Sequence, residues 1–291
     1  MNTSARIIAD SKNSFGTRLT TFVIVFPRII LAELNTHRCF SRNSASSRAI
    51  PITTMLKRVL DNPFIPLRFL KAHSSMVGTE YFEGEYDKLA RERWLLARDR
   101  AVESATSFLK LDGSSDVTKQ LVNRIIEPFG YHEVIISGTE WENFFALRCH
   151  PDAEIHMQHL AQLMLDAYNK SEPKELKEGE WHIAFGEQFD MEKVTQLAEK
   201  EKMTIDEVKR AICCARCARI SYVLHSKEEK YNYEKDLELY RKLISEGHFS
   251  PLEHCAYAAG DNTFHGNFRG FIQLRKLLPD ENRKDTRVIA K

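Results

Sequence analysis

Thirteen residues, Thr36 to Arg48 (THRCFSRNSASSR), gather three arginines, four serines and an asparagine with hardly a core side chain among them. Forked guanidinium donors beside hydroxyls suit a phosphate or a carboxylate, which they grip bidentately. A solvated polar loop is the plainer reading of such a stretch. Cys213-Cys214-x-x-Cys217 invites a metal or redox role, but a structural zinc needs four ligands and no second CxxC or CxxH lies nearby. On a helix, positions 213 and 217 share a face, so small buried apolar residues are the better reading. His150, His156 and His159 cluster without an HExxH pattern, and the expectation is surface or hydrogen-bonded histidines rather than a metal. Gly247-His-Phe-Ser-Pro-Leu-Glu-His254 brings two histidines and a carboxylate into eight residues, fit either for acid–base work or for capping a turn.

The elements that would position these groups follow from pattern. Thr20 to Phe26 (TTFVIVF) is β-branched and aromatic and reads as a buried strand. Pro27 can open a helix whose apolar face is Ile29, Ile30, Leu31 and Leu34. Residues 36–48 then read as a loop. From Glu85 to Leu109 the recurrence of Ala90, Trp94, Ala97, Ala101, Ala105 and Phe108 is helical, and Ser115 can cap a further helix ending before Pro128. Val134–Ile136 reads as a short strand, and Thr139–Cys149 and Pro151–Tyr168 read as helices. Residues 171–190, charged and aperiodic, look like a connector. Thr204-x-x-Glu207 is a capping box for a helix reaching about Cys217. A helix over Glu234–Ser245 should stop at Gly247, with a strand over Cys255–Ala259.

With 291 residues, 42 Lys+Arg against 41 Asp+Glu and a net charge of +1, no global field favours polymeric nucleic acid or an acidic membrane. A hydrophobic fraction of 43% and a charged fraction of 29% suit a globular enzyme rather than disorder. Only 12 Gly and 9 Pro point to long helices. Neither a signal peptide nor a span-length apolar run is visible, and Phe22–Phe26 stops at Pro27. Six cysteines do not form a disulfide framework in a chain this long, so the expected compartment is the cytoplasm.

Several segments together resemble the flavin-dependent thymidylate synthases. His37-Arg38, seven residues, then Ser46 is similar to that family's Arg-His-Arg-x7-Ser signature, and the segment TTFVIVFPRIILAELN before it is similar to the family's lead-in. Arg124-Ile-Ile-Glu-Pro128 resembles Arg-x-x-Leu-Pro. Asn143 to Arg148 and Ala153-Glu-Ile-His-Met-Gln158 resemble Asn-Phe-x-x-x-Arg and Ala-Gln-x-Glu-Ile-Arg. Ala218-Arg-Ile-Ser221 and Gly247–His254 resemble Ala-Arg-x-Ser and Gly-His-x-Ser-x-x-Glu-His, pieces that come first in the family and last here. The order is that of a circular permutation, with 171–190 joining the old ends. Departures are Thr36 for the first Arg, Ser44 for an acid, Glu154 for Gln, His156 for Glu, and Ala256 where a flavin-contacting hydroxyl is common.

The resemblance implies one α+β domain over 1–291, with a mixed and antiparallel sheet and long helices, assembled as a homotetramer with shared active sites. It implies methylation of dUMP at C5, with methylenetetrahydrofolate as carbon donor, reduced FAD as hydride source and NADPH as reductant, and with no metal and no cysteine nucleophile. By residue-wise match Arg148 and Arg124 are catalytic, and Ser46, Ser47, Arg48, Arg124 and Arg148 bind the nucleotide. His37, Arg38, Asn43, Asn143, Ser221 and His254 would contact FAD. The departures keep two alternatives open: a related flavin enzyme giving another 5-substituted pyrimidine from dUMP or dCMP, and a non-catalytic nucleotide-binding homologue.

Overall fold

The structure is a computed structural model that describes residues 2–74, 78–110, 112–220, 232–279 and 281. Its frame is a five-stranded sheet in the order β3-β4-β2-β1-β5, made of β1 (Ser4–Asn13), β2 (Arg18–Pro27), β3 (Ser41–Ser44), β4 (Tyr131–Gly138) and β5 (Lys174–Leu176). All neighbours are antiparallel except β1 and β5. Strand β2 is covered on both faces, which is why TTFVIVF shows no alternation. Phe22, Ile24 and Phe26 join Val134 and Ile136 under α5 (Trp141–Arg148) and α6 (Ile155–Lys170). Val23, with Ile8 and Ile135, faces the opposite way into a core shared by α7 (Met191–Glu201), α8 (Ile205–Ala218) and α9 (Tyr233–Ser245). Three further helices, α2 (Ile52–Asp61), α3 (Gly84–Thr106) and α4 (Lys119–Ile126), make their own core from Val59, Ala105, Val122 and Ile126. A smaller sheet, β10-β7-β6, joins β6 (Trp181–Ile183), β7 (Cys255–Ala258) and β10 (Phe271–Gln273), and β8 (Phe264–His265) pairs with β9 (Phe268–Arg269). Helices mixed with antiparallel and mixed sheets make the fold α+β, as expected.

Local signals fare well where the stabilising contact is itself local. The capping box forms in both directions between Thr204 and Glu207. Gly247 ends α9 at a φ of 74°, and the His248 amide reaches back to the Leu243 carbonyl at 2.8 Å, closing the helix. The expected 85–109 helix appears as α3, although Ala105 is the one fully buried residue along it.

Other expectations are corrected. The helix expected after Pro27 is short: a 3-10 turn over Arg28–Ile30 runs into a single α turn, α1 (Leu31–Leu34). The 36–48 loop contains strand β3, because β4 offers it a free edge. Ser115 does not cap α4; its hydroxyl accepts from the Val117 amide in a turn, and α4 starts at Lys119. Helix α6 starts at Ile155, not Pro151, because the Glu154 carboxylate takes the His156 and Met157 amides. Strand β1, with polar residues interspersed, was not expected at all. Residues 171–190 are not merely a linker, since they carry β5 and β6. No described helix is long and apolar enough to cross a membrane.

Candidate functional site

The 36–48 segment is fastened at three places. The first is aromatic: Phe40, 3% exposed, stacks on Trp141 with ring centroids 4.3 Å apart. Gly138 makes room for it, since a Cβ there would lie 2.5 Å from the Phe40 ring. The second is Arg148 at the end of α5. Its Nε donates to His37 Nε2 at 2.8 Å and its Nη2 to the Thr36 hydroxyl at 3.1 Å, while Nη1 lies 3.8 Å from the Glu33 carboxylate. Burial, and then the charges of Arg148 and Arg42, lower the pKa of His37 to about 4, so its ring is neutral and accepts from the guanidinium. Thr36, a departure from the family signature, is thus a hydroxyl partner of Arg148. Arg42 turns inward to the Leu34 carbonyl at 2.8 Å, and Arg38 is exposed.

The third fastening is Asn123 on α4, fully buried, whose amide donates to the carbonyls of Ser47 at 2.8 Å and Ile50 at 3.0 Å. It brings the helix that carries Arg124 against the segment that carries Ser46, Ser47 and Arg48. Ser46, Arg48 and Arg124 are exposed there, and the Ser46 hydroxyl accepts from the Arg48 amide at 3.3 Å. Ser47 also lines a cavity of about 380 Å³ between α2 and the start of β4, with Arg58, Tyr131, His132 and Glu133. Burial pushes the Glu133 carboxyl up to about 7, against the pull of Arg58 and Arg6. Burial and the neighbouring Arg28 drop His132 to about 3.

A second group lies on the opposite side of β3, where the small sheet and the end of α8 meet it. Asn43 Nδ2 donates to the Cys217 carbonyl at 3.4 Å, while its Oδ1 is buried without a partner among the described residues. His254 is fully buried; its Nδ1 is 2.8 Å from the Ser137 hydroxyl, and its Nε2 is likewise buried without a partner. Ser41 receives the Gln273 amide at 2.9 Å, and Glu253 pairs with Arg275. Arg219, in the Ala-Arg-x-Ser segment, pairs with buried Asp236 and ties α8 to α9. Ser221 lies outside the described residues. Asn143 is exposed on α5, the helix that carries Arg148.

Cys213, Cys214, Cys217 and Cys255 are buried in the α7–α9 core, and among the described residues no cluster of metal-ligating side chains is found. His150 and His159 are exposed. His156 instead holds the Glu154 carboxylate at 2.5 Å through Nδ1 and accepts the Leu67 amide at 3.0 Å through Nε2. The departures Glu154 and His156 therefore cap α6 and fix the chain near Leu67.

Sequence reasoning missed Asn123, Glu133 and the buried pair Thr21 and His182, whose ring is hydrogen-bonded at both nitrogens. A polar residue inside an apolar stripe, as Asn123 is among Val122, Ile125 and Ile126, is the one signal that was there to read.

No protein-family model and no curated protein matches the chain. Among solved structures it is similar to a UMP/dUMP methylase PolB from Streptomyces cacaoi bound with 5-Br UMP, at 14% identity over 58% of this chain and 89% of that one, with a TM-score of 0.44. It is also similar to Thymidylate Synthase X (ThyX) from Helicobacter pylori with FAD and dUMP, at 23% identity over 52% of this chain and 67% of that one, with a TM-score of 0.34.

Proposed function

We propose that this chain is a flavin-dependent thymidylate synthase with a circularly permuted motif order. It methylates dUMP at C5 with methylenetetrahydrofolate as carbon donor, and NADPH is the reductant. The observation that carries the reading is that Asn43 Oδ1 and His254 Nε2 are two of the seven buried side-chain atoms that find no hydrogen-bond partner among the described residues. Each unmet buried polar group costs about 1–3 kcal/mol, so two of them around one strand call for a ligand with complementary polar atoms. Both residues had been singled out by motif as flavin contacts, and they lie far apart in sequence. A flavin supplies ring nitrogens, carbonyls and an N–H, a donor and acceptor set that suits an amide oxygen and an imidazole nitrogen. With Ser221, His37, Arg38 and Asn143 they would hold FAD. When bound and reduced, FAD supplies the hydride.

The chain's own groups fit the rest of the chemistry. Ser46, Ser47, Arg48 and Arg124 would bind the nucleotide, with the exposed hydroxyls and guanidinium groups taking the phosphate. Attack at the pyrimidine builds negative charge on the ring, and a fixed guanidinium aimed there stabilises it. Arg148 suits that role: its orientation is locked by His37 and Thr36, and those two bonds leave other N–H groups of its five for substrate. Loop and helices come from one chain here, and we assign the complete site to a homotetramer in the cytoplasm whose subunits share it.

The test starts with the visible spectrum of the purified protein and chromatography of any released cofactor. FAD should be found, and a protein that stays colourless with added FAD refutes the flavin reading. Turnover with dUMP and with dCMP, read by product mass, follows. Thymidylate from dUMP with dCMP unmodified is the expected result; any other 5-substituted product overturns the assignment of reaction.

A further inference from the structure

None of the described residues assigned above to a flavin lines the cavity between α2 and the start of β4, and of those assigned to the nucleotide Ser47 alone does. Its volume of about 380 Å³ is that of a site for a small organic molecule. Ile50, Met55 and Val59, each at most 9% exposed, give it an apolar wall. Glu133 and Glu127 bring carboxyl groups to the same space. The backbone holds Glu133 in place, since its carbonyl takes the Ala45 amide at 3.0 Å, and Ala45 also lines the cavity.

The charges around the cavity do not balance at these carboxyl groups. Lys57 is spent on Asp61 at 2.8 Å, an exposed pair. Arg28 lies 3.4 Å from the Glu127 carboxylate and turns its Nη1 to the His132 ring, 2.8 Å from Nε2, and that ring is neutral at pH 7. Of the lining cations this leaves Arg58 on α2 to face Glu133, with Arg6 of β1 acting from outside the lining. Together they do not outweigh burial: Glu133, 7% exposed, is pushed up to about 7 and is half-protonated at neutral pH. The Oε1 of Glu127 is buried without a hydrogen-bond partner among the described residues. An anionic guest would worsen this shortage of positive charge and of N–H donors, and an uncharged apolar one would leave it unmet. A carboxylate is matched best by two parallel N–H groups on a planar delocalised cation, which also sheds its water more readily than an ammonium does. Among the described residues no set of metal-ligating side chains gathers, so the cation that suits the cavity is an organic one.

We propose that this cavity is a second ligand site, separate from those of the flavin and the nucleotide, for a small organic cation of the amidine or amino-heterocycle class, its N–H edge on Glu133 and its apolar body against Ile50, Met55 and Val59. The site stands on the cavity and its charges and does not depend on the function proposed above.

Benzamidine, a one-ring amidine that stays protonated across the neutral range, is the probe. Calorimetric titration of the full chain at pH 6, 7 and 8 should show one saturable site. The ionised fraction of a carboxyl titrating at about 7 rises from about 9% to about 91% over that range, so the affinity should rise about tenfold. No saturable binding up to about 10 mM, or an affinity that does not change with pH, overturns the proposal. Benzoate, the same ring with the opposite charge, should not bind, and binding equal to that of benzamidine overturns the choice of a cation. Glu133→Gln should weaken benzamidine about tenfold at pH 8 and flatten the pH dependence. Thr54→Trp fills the cavity from α2, leaves every carboxyl in place and should abolish binding. Wild-type affinity in either folded variant puts the probe elsewhere and refutes the site. Saturating dUMP should leave the benzamidine affinity unchanged; mutual exclusion assigns the cavity to the nucleotide and overturns a separate site. A chain that takes benzamidine as described but binds neither FAD nor dUMP keeps this site and loses the proposed function.

Discussion

Acidification should destabilise this protein by an amount set by three buried histidines. His182, His254 and His132 are at most 6% exposed, and burial lowers them to about 4, about 4 and about 3, from 6.5 for a free side chain. In the unfolded chain each takes up a proton as the pH falls below 6.5, and in the folded chain none does until about 4. Their stabilisation is thus complete above pH 6.5 and is lost on the way down. Between pH 7 and pH 5 each forfeits about 2 kcal/mol, about 6 kcal/mol together. Glu133 opposes them. Raised to about 7, it binds its proton in the folded state first, and the same pH change returns about 2 kcal/mol. For these four groups the net expectation is a loss of about 4 kcal/mol, or a slope near 2 kcal/mol per pH unit, equivalent to between one and two extra protons bound on unfolding, and His37, also lowered to about 4 but only half-buried, adds to the loss. Urea unfolding followed by fluorescence of Trp94, Trp141 and Trp181 at pH 7, 6 and 5 measures it. A midpoint that is flat or rises on acidification refutes the burial of these neutral rings.

Arg148→Ala should cut turnover by about 100- to 1,000-fold, the usual loss of a group aimed at developing charge. It also frees His37, whose pKa should move back up, and near-normal turnover in steady-state assays would refute the role given to Arg148. Asn123→Leu removes two donors from the Ser47 and Ile50 carbonyls and should cost about 2–3 kcal/mol, seen as a lower melting temperature, with weaker dUMP binding by calorimetry. An unchanged dUMP affinity would mean that this clamp does not shape the nucleotide site. Titration with a thiol reagent should find Cys39 fast and Cys149 slow, with Cys213, Cys214, Cys217 and Cys255 reacting only after denaturation. Fast reaction of these four would contradict their place in the core.

Much of the frame is legible in the chain itself. The capping box at Thr204, the stop at Gly247, the double-sided strand around Phe22 and the long helix through Trp94 depend on neighbours within a few residues. Such contacts form wherever the local sequence allows them. The motif around His37 and Ser46 could be picked out for the same reason, since it is contiguous. Tertiary structure decided the remainder. β3 exists because β4 brings it an edge from 90 to 96 positions away, as Ser41 pairs with Ser137 and Ser44 with Val134. Asn123 looked like one more helix residue until its amide met two carbonyls 76 and 73 positions distant. His182 sat in a stretch read as a connector, and its partners Ser11 and Thr21 lie 171 and 161 positions away. A sequence records which side chains are able to donate or accept, but whether a polar group is buried, and against which partner, depends on the packing of distant segments, and that alone fixed the neutral histidines and the two unmet atoms on which the functional reading rests.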